Sequence, residues 1–388
     1  MGLRLHVAGV RAAHPVRLPA GGTPVTAAAD VTVVTVTYQA RDLVLACLDS
    51  LARQDLGPVR MHVVVVDNAS TDGTPEVVAR AHPEVELVRS PRNLGFAGGN
   101  NLALRDVRSR YALLLNNDAT AEPDAVRRLV EAMDAAGPDV AALAATVLLA
   151  GTFRAAGPQD EGRPDVVHGP DGAWVPDSAG TARLVNSTGN QVRADGFGSD
   201  RGWLAEASAH RPPAGVFGFS GAAVLLRVSA LEDAGLFDER YFMYYEDTDL
   251  SWRLRLRGYR VQHCPGAVVH HLHSASAGEG SELARFHDVR NRMATVLKDA
   301  SAPLAARVIG AHLLTTASLL LRRRQPWPLV RTRLRAQASF LRLAPSLLRS
   351  RAAIGRSAHT PRREVERLLV APRTPLGPYR ADGTGSRA

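Results

Sequence analysis

Five short stretches of this 388-residue chain concentrate side chains able to hold a cation, accept a proton or contact a nucleotide. Asp67 closes the apolar run Met61-His-Val-Val-Val-Val66 and opens Asn68-Ala-Ser-Thr-Asp-Gly73. A carboxylate placed there accepts the imide N–H of a base or binds a ribose hydroxyl, and it equally well caps the next helix. Asn93-Leu-Gly-Phe-Ala-Gly-Gly-Asn-Asn101 carries glycines that let backbone approach a ligand closely. Asn116-Asn117-Asp118 closes another apolar run. A carboxylate at such an edge offers the hard oxygen that Mg²⁺ or Mn²⁺ takes, and the cation can neutralise a diphosphate. Glu246-Asp247 stands between an aromatic run and an amphipathic stretch, where an acid can act as general base on an incoming hydroxyl. His270, His271 and His273 follow a strand-like run. Imidazoles at that density are ordinarily surface or core polar groups, but beside a diphosphate-bound cation one of them suits a third ligand position.

These residues need elements to place them. The β-branched run at 31–38 predicts a buried strand, followed by a helix over 42–54 with Leu43, Cys47, Ser50 and Leu51 at helical spacing. Further strands are expected at 61–67, 85–89 and 111–116, with helices at 74–81, 97–108 and 123–135 between and after them. Continuous apolar strands alternating with helices imply an α/β fold: one mostly parallel central sheet covered by helices on both faces. Ligands bind at the carboxyl ends of such strands, where Thr37, Asp67, Asn93, Asn117 and Asp118 collect. Residues 151–181 are rich in Gly and Pro and form a loop-rich insertion, either a flap or acceptor contact or a tolerated surface insertion. Asn186-Ser-Thr188 matches a glycosylation sequon.

Composition narrows the class. With 45% hydrophobic and 22% charged residues the chain can bury a core, and two cysteines, Cys47 and Cys264, are too few for a disulfide framework. The net charge of +9 is unevenly spread. Residues 301–388 carry 17 arginines against three acids, whereas the first 300 hold 30 basic and 35 acidic residues. A basic groove through the body is thereby excluded, and with it a nucleic-acid partner. The expected organisation is a loose N-terminal arm (1–29), a catalytic domain (30–298) and a basic helical tail (299–388). Interleaved Arg, Leu and Trp in the tail fit an interfacial helix pair on an anionic membrane, or a helical hairpin packed on the body. With no apolar leader at the start, the expected place is cytoplasmic, peripheral at the inner face of the plasma membrane.

In this order, Val65-Val-Asp-Asn-Ala-Ser-Thr-Asp72, Arg92-Asn-Leu-Gly-Phe-Ala-Gly-Gly-Asn-Asn101, Leu114-Leu-Asn-Asn-Asp118 and Tyr245-Glu-Asp-Thr-Asp-Leu-Ser-Trp-Arg253 resemble family 2 glycosyltransferases of the GT-A fold, most closely the bacterial rhamnosyltransferase-like members. The resemblance runs from about residue 31 to about residue 297. It implies an inverting transfer from a nucleotide-diphosphate sugar to a hydroxyl of a glycan or lipid-linked acceptor. By that resemblance Thr35, Thr37, Asp67, Asn93, Gly95 and Asn117 line the nucleotide pocket, Asp118 and His271 hold Mg²⁺ or Mn²⁺, and Asp247 is the base with Glu246 beside it. Asn116 stands where many members have Asp, which weakens the implied metal site. Phe242, Tyr244, Tyr245 and Trp252 offer an acceptor platform or core packing. The alternatives are a sugar-phosphate nucleotidyltransferase, disfavoured because the turn at 38–42 lacks glycine, and a catalytically silent membrane-associated scaffold.

Overall fold

The structure is a computed structural model that describes residues 16–18, 29–272, 281–322 and 325–372. Most of the expected N-terminal arm, His273 and the end of the tail lie outside the described residues. The chain runs β1 (Val16–Leu18), β2 (Val31–Thr37), α1 (Arg41–Ala52), β3 (Met61–Asp67), α2 (Thr74–Ala81), β4 (Glu86–Arg89), α3 (Gly95–Leu104), β5 (Tyr111–Leu115), β6 (Ala119–Ala121), α4 (Ala125–Ala135) and β7 (Val140–Leu149). The insertion follows as β8 (Phe153–Ala155), β9 (Val167–Gly169) and β10 (Gly172–Pro176), then β11 (Val185–Ser187), β12 (Asn190–Val192), β13 (Gly198–Asp200) and β14 (Gly215–Val216). The second half is β15 (Ala223–Arg227), α5 (Val228–Ala234), α6 (Glu246–Leu256), β16 (Arg260–His271), α7 (Glu282–Asp299), α8 (Ala302–Arg322), α9 (Trp327–Ser357) and α10 (Arg362–Val365).

One large sheet has the order β1-β4-β3-β2-β5-β15-β7-β16-β14. The segment β4-β3-β2-β5 is parallel, as the strand–helix alternation requires, and so is the pair β7–β16. β15 runs antiparallel between β5 and β7. Alternation along each strand sends successive side chains to opposite faces. Val33, Val65 and Leu113 meet Leu48, Val78 and Leu129 of α1, α2 and α4. Val34, Val66 and Leu114 meet Ala97, Leu231 and Leu250 of α3, α5 and α6. Each fully buried aliphatic side chain contributes about 1.5–3 kcal/mol relative to leaving it exposed.

The insertion folds into its own three-stranded sheet, β8-β10-β9, on a small core of Phe153, Val167, Leu184 and Leu204. Arg154 grips the buried Asp160 with both terminal nitrogens, at 2.6 and 2.7 Å.

The core does not stop at residue 298. Trp252 and Leu256 of α6 share a cluster with Val296 of α7, Leu304 and Val308 of α8, and Val365 of α10. Tyr241, Tyr245 and Met293 share another with Phe340 and Leu347 of α9. The Val370 N–H donates to the Val192 carbonyl at 2.9 Å. Lys298, the chain's only lysine, is buried between Asp238 (2.7 Å) and Asp249 (2.5 Å), which also pairs with Arg253. The α8–α9 hairpin therefore packs on the body by one face. Its other face exposes Leu313, Leu314, Leu320, Leu321 and Trp327. α8 is also long and apolar enough to cross a membrane by length and composition, with 21 residues and a mean hydropathy of 1.6.

Candidate active site

A cavity of about 460 Å³ opens at the carboxyl edge of the sheet, beside the first turn of α6 and the end of β16. It brings together Thr37, Asn93, Gly95, Asn117, Asp118, Glu246, Asp247 and His271 of the residues singled out from sequence. Thr35 and Asp67 lie outside its lining. Thr35 is fully buried one pleat below the edge, its hydroxyl 4.0 Å from the Cys47 sulfur under α1. Asp67 accepts the Ser70 N–H on both carboxylate oxygens at 3.3 Å, so it shapes the turn after β3; burial raises its pKa. Among the described residues, none of 151–181 lines the cavity.

One side of the cavity is held by amides. Asn68, which sequence reasoning passed over, accepts the Leu94 N–H (2.9 Å) and donates to Asn93 Oδ1 (3.1 Å) and to the Gly95 carbonyl (3.0 Å). Asn117 donates to the Thr37 hydroxyl at 3.3 Å. Gly95 has φ +68°, and a Cβ there would sit 2.3 Å from the Phe242 carbonyl, so only glycine fits between the donor turn and the aromatic loop.

The polar edge beyond it carries Asp118 and His271. His271 Nε2 lies 3.0 Å from Asp118 Oδ1 and 3.3 Å from Asn116 Nδ2, while His271 Nδ1 meets Asn186 Oδ1 at 2.6 Å. An Nδ1–H donating to Asn186 leaves the Nε2 lone pair facing the carboxylate. Two ligands of one octahedral cation, each about 2.1 Å from it, also stand about 3.0 Å apart. The donor set therefore fits a divalent cation with two protein ligands, its other positions left to water and phosphate. His270 faces the opposite way and pairs with Glu122 at 2.7 Å, which decides between neighbouring histidines by strand alternation alone. Asn186, the sequon residue, is buried against His271 and orients it.

Glu246 and Asp247 open α6 directly after an unusual loop. Phe242, Tyr244 and Tyr245 adopt φ of +67°, +64° and +68°, left-handed values that bulky residues avoid. Each costs on the order of 1–3 kcal/mol. The loop is held from α7: Asn291 donates to the carbonyls of Tyr241 (3.0 Å), Met243 (2.8 Å) and Tyr244 (2.7 Å). Arg290 donates to those of Arg240 (2.7 Å) and Tyr241 (2.8 Å). Nothing in the local sequence signals these partners, because they lie some fifty positions away. Phe242 and Tyr244 line the cavity, with Phe242 stacked on His287, whereas Trp252 is core, edge-on to Phe217 at 5.4 Å.

Asp247 accepts the Thr248 N–H at 2.6 Å and the Gly221 N–H at 3.3 Å. Burial, reinforced by the charge of Asp200, pushes it up to about 6. Burial, reinforced by Asp247, holds Glu246 far above the carboxylate range. Its Oε2 is buried without a hydrogen-bond partner. A carboxylate raised to about 6, as Asp247 is, suits taking a proton near neutral pH.

The Glycosyl transferase family 2 profile matches residues 32–167. Over 271 residues the chain is 30% identical to the N-acetylglucosaminyl-diphospho-decaprenol L-rhamnosyltransferase of Mycobacterium tuberculosis, covering 66% of this chain and 80% of that protein. The chain is a family 2 glycosyltransferase. It is also 38% identical over 113 residues to the succinoglycan biosynthesis protein ExoO of Rhizobium meliloti, 29% of this chain and 32% of that protein. The crystal structure of GalNAc-T7 with UDP, GalNAc and Mn²⁺ matches this glycosyltransferase with a TM-score of 0.54 at 11% identity, over 80% of this chain and 55% of that one. That likeness is one of fold and agrees with the GT-A α/β architecture expected from the motifs. As a glycosyltransferase the chain is an enzyme, which sets aside the silent scaffold and the nucleotidyltransferase.

Proposed function

We propose that this glycosyltransferase moves a sugar, L-rhamnose, from a nucleoside diphosphate to a hydroxyl of a lipid-linked glycan acceptor, with inversion in one displacement. The observation that carries the proposal is that Asp247 and the Asp118–His271 pair line one cavity. Asp247 takes the acceptor hydroxyl's proton as that oxygen bonds to the anomeric carbon and the bond from that carbon to the diphosphate breaks. Asn68, Asn93 and Gly95 shape the turn against which the nucleotide lies. Asp118 and His271 are the residues to hold Mg²⁺ or Mn²⁺, which when bound neutralises the leaving diphosphate. The choice of sugar and acceptor rests on the mycobacterial relative.

The hairpin supports a further part of the reading, docking at the inner face of an anionic plasma membrane. Leu314 and Leu321 are 74% and 85% exposed on a tail of strongly positive charge. Each basic group near such a surface contributes about 1 kcal/mol before screening. The test is incubation of the full chain with nucleoside-diphosphate sugars, a divalent cation and N-acetylglucosaminyl-diphospholipid. Transfer of rhamnose is expected; transfer of another sugar alone replaces the donor, and neither transfer nor hydrolysis of any donor overturns the reading.

A further inference from the structure

A second concentration of charge lies away from the catalytic cavity, where α7, α8 and α9 meet. Arg292 of α7 and Arg333 of α9 both donate to His312 Nδ1 of α8, Arg333 at 3.1 Å. Arg292 is 7% exposed and His312 3%. A nitrogen that accepts from two guanidinium groups has no proton, so the imidazole is neutral and carries its hydrogen on Nε2. That Nε2 and the Arg292 Nε are both buried without a partner. Among the described residues, no carboxylate lies within 4 Å of Arg292 or Arg333. Asp288 contributes the opposing charge nearest on α7, and burial raises its pKa against the pull of both arginines. Phe197 stacks on Arg292 at 3.8 Å, which offsets part of the cost. Arg333 also donates to Thr316 at 2.6 Å, a neutral partner. Two permanently charged guanidinium groups without an ion pair among the described residues, beside two unused buried donors, the Arg292 Nε and the His312 Nε2, form an arrangement that an anion completes.

Its position says which anion. Phe197 immediately precedes β13, and three residues on, about 10 Å along an extended strand, Asp200 lines the catalytic cavity. Leu313 and Leu314 follow His312 in α8 and are 45% and 74% exposed. The cluster thus adjoins, through Phe197, a strand that reaches the cavity and, through His312, an exposed apolar segment, the neighbours that the diphosphate between a glycan and its lipid requires. We infer that Arg292, His312 and Arg333 form a phosphate site that takes the diphosphate of the lipid-linked acceptor. This rests on the acceptor class proposed above.

Two measurements on the full-length protein test it. In EDTA, which removes any metal-mediated donor site, calorimetry should detect inorganic pyrophosphate binding that Arg333→Gln weakens at least tenfold, Arg333→Lys less, and Asp118→Asn not at all. Loss with Asp118→Asn but not with Arg333→Gln overturns the site. In transfer assays, Arg333→Gln should raise KM for N-acetylglucosaminyl-diphospholipid about tenfold while KM for an alkyl N-acetylglucosaminide and for donor stays put. An equal rise for both acceptors reduces the arginine to packing and overturns the inference. So does loss of phosphatidylglycerol-vesicle sedimentation with an unchanged ratio of the two KM values, since the anion is then a lipid headgroup. If the wild type glycosylates neither acceptor, the acceptor class has failed, and the pyrophosphate measurement still decides the site.

Discussion

The two walls of the active-site cavity are built on different terms. On one wall, the proposed donor side, Thr37, Asn93, Asn117 and Asp118 stand at or just after ends of neighbouring parallel strands, held by amide contacts such as Asn68 to Asn93. Regular secondary structure suffices to converge them. On the other wall, the proposed acceptor side, Glu246 and Asp247 follow a loop with three left-handed residues, and α7 holds that loop by hydrogen bonds to the carbonyls of Tyr241, Met243 and Tyr244. The donor wall can form as the sheet forms, whereas the acceptor wall is conditional on the packed C-terminal helices. Damage to α7–α9 should therefore reach chemistry before donor binding.

The comparison breaks most visibly at Asp247. Asp247→Asn should lower turnover by about 10²–10⁴-fold, the contribution of a general base, with donor affinity unchanged in a direct binding assay. Because its folded pKa of about 6 exceeds the unfolded value of 3.8, ionisation costs stability that is present below the latter and lost as pH rises through the former. The Asn variant should accordingly melt higher than wild type at neutral pH. Near wild-type turnover would remove Asp247 from the reaction.

Asn291→Ala comes next. Freeing three loop carbonyls should cost on the order of 3 kcal/mol, read by denaturant unfolding, and should lower kcat more than it raises donor KM. A larger effect on donor binding would erase the contrast between the walls. Cutting the chain after Lys298 removes the partners of Trp252 and Tyr245, so an insoluble product is expected.

On the donor wall, EDTA should suppress transfer, and Asp118→Ala should weaken nucleoside-diphosphate binding about tenfold while leaving nucleoside binding alone. Equal weakening of both would make Asp118 a direct pocket contact. With pH, kcat/KM should be level above about 7 and fall about tenfold per unit below 6, as Asp247 takes up the proton that blocks it. The smallest effect belongs to Thr35→Val. Its hydroxyl faces Cys47, so donor KM should stay within about twofold; a larger rise would return Thr35 to the pocket.

By itself the sequence determined the chemistry-bearing residues and the strands that end in them, because an apolar run closing on Asn116-Asn117-Asp118 is local in the chain. It also carried the glycine at 95, which a close approach demands. It could not separate Thr35 from Thr37, or His270 from His271, since neighbours of like chemistry differ only in depth and face. Nor could it show Asn186 orienting His271 or Asn291 bracing the catalytic loop, contacts that join residues 85 and about 50 positions apart. The tail was divided between membrane and body for the same reason: a helix with two apolar faces has one composition. Only the tertiary packing decided which face meets Trp252 and Met293 and which leaves Leu314 and Leu321 exposed, because burial is a property of what lies opposite a side chain.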